Sequence, residues 1–466
     1  MKTAFIYDKW YSQLGGGEVV ASHLALCLHQ LGYDTTIISG SSVSLDKIKS
    51  IQGLDLSSIK FVESFDDQLR LNQITAGANI FINTSFWDYS VGSAEKNYYY
   101  CFFPSPIKSQ LLKQILSSVV RPYEITSDHK YIFYNLVPSR TYTLKFSLVL
   151  PEFSVTNLKN SAIKLENATI LSHQITINHF QNKISYKFVY QPLTSSVWFK
   201  SKLPLKLYHY PFQNKLFSLL RSGTFVDLKN NLKGFHKIFA TSVYTQQWIQ
   251  KYWHIKSSLL YPPVPLLVSR HNPKKKQICS IGRFTTLGNN KKHEVMIQAF
   301  KQLIDAGLLG WELHLAGGLG NEPTSQQYAQ NLQHQIGSYP IFLHFSPPRS
   351  FIKQMLSEST IYWHAAGFGL DRDKYPEQFE HFGITPLEAI SAGCVPVVFA
   401  GGGLTEVVTS IGLDPKLHTF HTIPELVSHT KKIIKDRTTL PPNIHKLISS
   451  KFSINTFYKN LIKLVT

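Results

Sequence analysis

Short apolar stretches and amphipathic stretches alternate from the first residues onward. Residues 3–7 read as a strand, Gly15-Gly16-Gly17 as a turn, and residues 18–31 as a helix with Val20, Leu24, Cys27, Leu28 and Leu31 on its apolar face. Gly32 ends that helix and the β-branched run 35–39 supplies a second strand, which completes one βαβ unit. Residues 78–83 and 97–103 read as later strands of the same sheet. Near Pro122 the helical period fades. Residues 131–136, 141–150, 161–165, 175–180, 183–190 and 196–200 are short β-rich runs between polar turns, which predicts an inserted antiparallel sandwich.

Helical periodicity returns at 212–220 and 245–252, and Tyr261-Pro262-Pro263-Val264-Pro265 predicts a stiff, extended linker. Beyond it, strand-like runs (278–281, 312–316, 341–345, 361–364, 395–400) alternate with helix-like ones (293–306, 325–338, 350–358, 385–392). That alternation is the pattern of a doubly wound parallel sheet. The expected organisation is an α/β domain from 1–122 and 207–264, a β-rich module at 123–206, and a second α/β domain at 265–445. A C-terminal helix over 446–466 is expected to pack back toward the first domain. Two such domains place a ligand cleft between them, outside the carboxyl ends of the strands.

Composition narrows the function classes. The 466 residues are 43% hydrophobic and 17% charged, enough for large cores and against general disorder. The apolar runs are too short to cross a bilayer, and the first residues lack a signal-peptide pattern. Cys27, Cys101, Cys279 and Cys394 have neither disulfide nor zinc spacing, so the expectation is a reduced, cytoplasmic chain without structural metal. The net charge is +19, and residues 108–265 alone carry +15, interleaved with aromatic and aliphatic residues. Such a surface is either simply solvated or meets anionic lipid or an anionic acceptor; no nucleic-acid motif accompanies it.

The densest chemistry lies at Glu380-His381-Phe382-Gly383-Ile384-Thr385-Pro386-Leu387-Glu388. Thr385 as cap, Pro386 at the first helical position and Glu388 three residues after the cap predict a capping box. Gly383 lets backbone amides approach a ligand, and a helix start favours bound anions. Glu380 precedes the turn and is not needed by the helix, which leaves its carboxylate for a ligand's hydroxyls.

Glu380-x7-Glu388, with Ala392-Gly393-x-Val395-Pro396-Val397 after it, closely resembles the donor-site motif of the family 4 retaining glycosyltransferases. Further segments resemble that family in the same order along the chain. They are Leu14-Gly15-Gly16-Gly17-Glu18, Ala240-Thr241-Ser242-x-Tyr244-Thr245, Ile281-Gly282-Arg283-Phe284 with Lys291 and Ala299-Phe300, and Gly401-Gly402-Gly403-Leu404-Thr405-Glu406-Val407-Val408. The resemblance covers roughly residues 1–107 and 208–466. It implies a GT-B fold: two Rossmann-like doubly wound domains facing a cleft, here with the β-rich insertion in the N-terminal one.

By the same resemblance a hexose moves from a nucleotide-diphosphate sugar, UDP- or GDP-linked, to a hydroxyl of a glycan or lipid-linked acceptor, with retention. Arg283 and Lys291 would receive the diphosphate, with Lys292 as the alternative second cation. Amides at Gly16, Gly17, Phe382, Gly383 and Ile384 would add donors, Glu380 would hold the donor sugar and Glu388 the ribose. No metal and no further cofactor is implied. The motif looks closest to members that transfer mannose.

Other residues remain open at this level. The segment from Arg283 to Lys291 is longer than the family's, Asp371-Arg372-Asp373 reads as a solvated loop despite its metal-site look, and Gly15-Gly16-Gly17 lacks the spacing of a dinucleotide site. His364 ends a strand facing the cleft and His381 lies within the glutamate motif, neither with a carboxylate partner evident from sequence. The aromatic run Tyr98–Phe103 reads as a buried strand whose far end lines the acceptor side. The competing reading is a catalytically inactive GT-B protein that binds membrane or glycan through its basic insertion.

Overall fold

The computed structural model describes residues 2–64, 68–106, 123–125, 130–133, 141–149, 163–178, 183–193, 197–201, 206–211, 228–267, 273–286 and 290–465. The chain divides into two units, residues 1–107 with 228–466, and residues 108–227.

The first unit opens with β1 (Thr3–Asp8), α1 (Gly16–Gln30), β2 (Asp34–Ser39), α2 (Leu45–Gln52), β3 (Lys60–Glu63), α3 (Gln68–Thr75), β4 (Ile80–Asn83) and β5 (Lys96–Cys101). The chain then builds the second unit from eight described strands. These are β6 (Tyr123–Ile125), β7 (Lys130–Phe133), β8 (Tyr142–Val149), β9 (Ile163–Glu166), β10 (Ala168–Asn178), β11 (Lys183–Pro192), β12 (Val197–Ser201) and β13 (Lys206–Pro211). They form two four-stranded antiparallel sheets, β10-β11-β8-β13 and β6-β7-β12-β9. Because β13 pairs with β8, residues 206–211 belong to this unit, which is wider than the 123–206 read from sequence. The helix expected at 212–220 lies outside the described residues.

Back in the first unit, α4 (Leu228–Lys233), β14 (Lys237–Ala240), α5 (Val243–Trp253) and β15 (Ser258–Leu259) complete an all-parallel sheet in the order β15-β14-β5-β4-β1-β2-β3. A second parallel sheet follows the proline segment. It uses β16 (Lys275–Ile281), α6 (His293–Asp305), β17 (Glu312–Gly317), α7 (Pro323–Ile336), β18 (Ile341–Phe345), α8 (Arg349–Glu358), β19 (Ser359–His364), α9 (Ile384–Ser391), β20 (Val395–Phe399), α10 (Leu404–Ser410), α11 (Pro415–His418), β21 (Thr419–Phe420) and α12 (Ile423–Lys435). Its order is β18-β17-β16-β19-β20-β21. Strands buried on both faces read as continuous apolar runs, as at Val395-Pro396-Val397-Val398-Phe399, every one of them buried.

Each sheet has one place where the strand order reverses: between β1 and β4 in the first, between β16 and β19 in the second. Ligands of open α/β sheets bind outside the carboxyl ends of the strands at such points. The two halves are tied together at the back. Val264 is fully buried, and its amide donates to the Phe452 carbonyl at 2.9 Å, so the proline segment is pinned to α13 (Ile444–Phe452) and is not a free hinge. From there α14 (Ile454–Val465) returns to the first sheet and buries Phe457, Leu461 and Val465 among Ala4, Val20 and Leu24.

Candidate functional site

The second switch point gathers the charged residues. His364 is the last residue of β19 and almost fully buried, and its Nε2 lies 3.1 Å from Glu380 Oε2. The same carboxylate oxygen accepts from Lys291 Nζ at 2.5 Å. His364 therefore has the carboxylate partner that the sequence did not reveal, and Lys291 is the member of the lysine pair that reaches Glu380. Lys292 stands in the left-handed region (φ 55) at the N-cap of α6, its amide held by Asn290 Oδ1 at 2.6 Å. On the far side of the His364 ring, the Tyr362 hydroxyl sits 3.3 Å from Nδ1 and donates to Thr385 Oγ1 at 3.0 Å.

These contacts set the charges. Burial pushes the Glu380 carboxyl upward, but the Lys291 ammonium and the His364 hydrogen bond override it and hold the pKa well below the usual value. Burial lowers the His364 pKa, assisted by the Lys291 charge and opposed by Glu380, which keeps the ring neutral at pH 7. Gly282 makes the geometry available. A Cβ there would lie 2.3 Å from Lys291 Cγ, so only glycine lets the lysine pass to Glu380.

Arg283 follows directly, exposed to solvent, and its charge reaches Glu18 in the first turn of α1. Burial raises the Glu18 pKa while its own amide, that of Gly15 and the Arg283 charge pull it back. Gly16 opens α1 and faces α9: a Cβ there would lie 3.7 Å from Ile384 Cδ1. Gly17 packs instead on the Phe102 ring. The structure thus brings the starts of α1 and α9 together, with Arg283, Lys291 and Glu380 around them.

Helix α9 begins one residue earlier than expected. Gly383 is its N-cap with φ 112, and no side chain caps the helix. Thr385 already lies inside it and receives the Tyr362 hydroxyl, so the predicted capping box does not form. Glu388 instead points to Arg349 at the start of α8, which grips both carboxylate oxygens. Burial nonetheless raises its pKa, with Arg349 opposing. Phe382 is buried against Tyr261 and Phe452 and so contributes backbone, not side chain.

The glycine turn at 401–403 supports this segment from below. Gly402 has φ 61, a Cβ on it would lie 2.2 Å from the Glu380 carbonyl oxygen, and the Gly403 amide donates to that same carbonyl at 2.7 Å. Glu406, one turn further on, accepts from the amides of Val243 and Tyr244 at 2.9 and 3.2 Å and from the Tyr261 hydroxyl at 2.7 Å. It caps α5 from the other half of the molecule, beside Ser242, whose hydroxyl donates to the His381 carbonyl at 2.6 Å. The His381 ring stacks on Phe103 with centroids 4.7 Å apart and donates to the Glu377 carbonyl. Burial lowers its pKa to about 4.

Sequence reasoning missed Arg349, for which its place at a helix start was the only signal. Glu406 was visible within the Gly-Gly segment, but its partners were not. The aromatic run of β5 is buried from Tyr98 to Cys101. Asp371 and Asp373 are exposed; Asp371 accepts from nearby backbone amides and Asp373 pairs with Lys251 at 2.9 Å, as a solvated loop does. Among the described residues no group of three His, Cys, Asp or Glu side chains is disposed to hold a metal ion, and no helix is long and apolar enough to cross a membrane.

Two Rossmann-like parallel-sheet domains of this order define the GT-B fold. Over the full chain the structure is similar to a glycosyltransferase from Rickettsia africae ESF-5 (TM-score 0.56, 13% identity, covering 100% of this chain and 97% of that one). It is equally similar to Anabaena Alr3699/HepE in complex with UDP-glucose (TM-score 0.56, 11% identity, 100% and 99% covered). TarM follows (TM-score 0.53, 10% identity, 100% and 99% covered). At such identities the likeness is one of fold. In sequence, residues 268–441 match the family model described as "Glycosyl transferases group 1", which contains Arg283, Lys291, Glu380 and Glu388. A search of curated proteins finds no match.

Proposed function

We propose that the chain is a retaining glycosyltransferase that moves a hexose from a nucleotide-diphosphate sugar to a hydroxyl of a glycan or lipid-linked acceptor. The observation that carries the reading is the ionised Glu380, clamped by Lys291 and His364 at the switch point where Arg283 and two helix N-termini converge. Bond cleavage builds negative charge on the departing diphosphate. Arg283 meets it bidentately, Lys291 with the donors left free by its single bond to Glu380, and the amides at Gly16 and Gly383–Ile384 complete the receptor. Cationic side chains thereby supply the charge that the leaving group requires.

Glu380 accepts hydrogen bonds from the hexose hydroxyls, and neutral His364 keeps that carboxylate oriented through Nε2–H. Glu388, fixed by Arg349, retains lone pairs for the ribose hydroxyls. Mannose is the hexose whose motif the segment resembles, and UDP and GDP both suit the receptor. The net charge of +15 over residues 108–265 belongs to the same reading as an attraction to an anionic lipid surface at the cytoplasmic side, one that weakens as salt rises.

The test is turnover of a panel of UDP- and GDP-hexoses, with the anomeric configuration of the product read by NMR. The expected result is release of one nucleoside diphosphate with retention. No turnover of any donor, together with unchanged UDP and GDP binding in Arg283→Ala, overturns the proposal.

A further inference from the structure

Tyr362 has no role in the donor-site reading, yet its hydroxyl touches three of the segments that build the site. It stands two residues before His364 on β19, so both side chains leave the strand on the same face, and both are buried. Its ring packs among Cys279, Ile281, Ala316 and Ala389 and lies at 22° to the His364 ring, with centroids 6.3 Å apart. The hydroxyl lies 3.3 Å from His364 Nδ1 and 3.0 Å from Thr385 Oγ1 in the first turn of α9. The amide of Ile281, the last residue of β16 and the neighbour of Gly282, donates to it as well. Burial raises the phenol pKa above its ordinary value, against the Thr385 and Ile281 bonds, so the group keeps its proton at neutral pH.

The number of protons in this row limits its arrangements. Glu380 is ionised and can only accept, so His364 Nε2, 3.1 Å from Glu380 Oε2, carries a hydrogen. A neutral imidazole has one N–H, which leaves Nδ1 as a bare lone pair. The phenol has one proton and two acceptors in reach. While it donates to Thr385, the phenol oxygen and Nδ1 face each other with lone pairs at 3.3 Å in a buried place. Rotation of that hydrogen onto Nδ1 removes the clash. The Thr385 hydroxyl then turns to donate to the phenol oxygen, and every group has a partner. The other tautomer, with its hydrogen on Nδ1, would set a bare Nε2 against the Glu380 carboxylate. Half-satisfied buried rows are costly, which favours the filled arrangement.

We propose that Tyr362 is a positioning residue for the glycosyl transfer: by donating to His364 Nδ1 it fixes the imidazole hydrogen on Nε2 and so holds the Glu380 carboxylate turned toward the donor sugar. The bond made by one ring nitrogen of a histidine decides what the other carries. Among the described residues, the Tyr362 hydroxyl is the group within hydrogen-bond distance of Nδ1. The other titratable groups facing His364 are Glu380, on its Nε2 side, Lys291, whose ammonium bonds that same carboxylate, and His293 from the start of α6. His293 is itself neutral, because burial lowers its pKa to about 3. The consequence for turnover rests on the glycosyltransferase reading, whereas the tautomer and pKa of His364 do not.

The test follows the His364 ring by NMR in the full-length chain with isotope-labelled histidine, from about pH 4 to pH 8, the His364→Gln spectrum giving the assignment. In parallel, kcat and KM are measured over the same range with a hexose donor that wild type turns over. Wild type is expected to carry its hydrogen on Nε2. A donor to Nδ1 favours the neutral ring, so Tyr362→Phe should raise the His364 pKa by about one and carry the acid limb of kcat upward with it. Its kcat should fall about tenfold with KM within about twofold of wild type. Thr385→Val removes the competing acceptor and should keep the Nε2–H tautomer, with a pKa no higher than wild type. A Tyr362→Phe chain with wild-type tautomer, pKa and pH profile overturns the proposal. So does a loss of kcat that leaves the His364 pKa and the acid limb in place, which is what a merely structural role would give. If Tyr362→Phe does not fold, Thr385→Val decides: a hydrogen on Nδ1 or a raised pKa overturns the proposal. The expected tautomer and pKa changes in a chain that turns over no donor keep the role of Tyr362 toward His364 and remove the glycosyltransferase reading.

Discussion

The two parallel sheets share an architecture and furnish their switch points in opposite ways. At the ends of β16 and β19 stand a cation that reaches an ionised carboxylate, a neutral buried histidine and a glycine that exists to let the cation through. At the ends of β1 and β4 stand three exposed aromatic rings, two of them on a loop stapled by one asparagine. A fixed fold with exchangeable strand ends explains the contrast, since topology decides where a ligand sits and the residues after each strand decide what it is.

The largest effect expected from breaking the charged end is in Glu380→Gln. Turnover of the preferred donor should fall about 10³-fold, because the neutral amide keeps the shape but loses the ionic clamp and the acceptor strength. Single-turnover kinetics checks this, and a loss under tenfold would remove Glu380 from the chemistry. Gly282→Ala comes next. The added methyl meets Lys291 Cγ, so Lys291 must leave Glu380 and activity should fall about 10²-fold, at a stability cost of about 1–3 kcal/mol seen as a lower urea midpoint.

The aromatic end breaks differently. Asn83→Ala leaves the Asp88 and Ser90 carbonyls and the Ser85 amide without their partner, which should cost about 1–3 kcal/mol in urea unfolding while nucleotide affinity stays put. Nucleotide affinity falling in parallel would show that the two ends are not separable. The smallest of these effects is expected at the tie between the halves. Glu406→Gln keeps one acceptor oxygen for three donors and should cost about 1 kcal/mol in thermal unfolding.

Acid exposes both ends together. Burial lowers the pKa of His23 and His381 to about 4 and of His293 to about 3, from an ordinary 6.5. The unfolded chain binds these protons first, so stability is full above pH 6.5 and is lost as pH falls toward 4, close to one proton per histidine near pH 5. A urea midpoint that stays flat from pH 7 to 5 would contradict that burial.

What the sequence disclosed divides along the same line. The βαβ rhythm, the parallel strands after the proline segment and the charged residues of the second switch point were legible, because periodicity is local and the Glu380–Glu388 segment is contiguous. The capping box failed because Gly383 can adopt φ 112 and start the helix itself, which freed Glu388 for Arg349, 39 residues away. The partner of His364 was hidden for the same reason: it is made by folding, not by spacing. Nothing in Phe86-Trp87 distinguishes an exposed pair of rings from a core fragment until the fold exposes them.

Sugar gripped by Glu380 and diphosphate gripped by Arg283 and Lys291 can be separated in one crossed calorimetric titration, using UDP- or GDP-hexose against the bare diphosphate. Glu380→Gln should bind the two equally, having lost only the increment contributed by the hexose, while Arg283→Ala should weaken for both by tenfold or more, about 1.4 kcal/mol at least. Wild-type affinity for both ligands in both variants would contradict the assignment of the site.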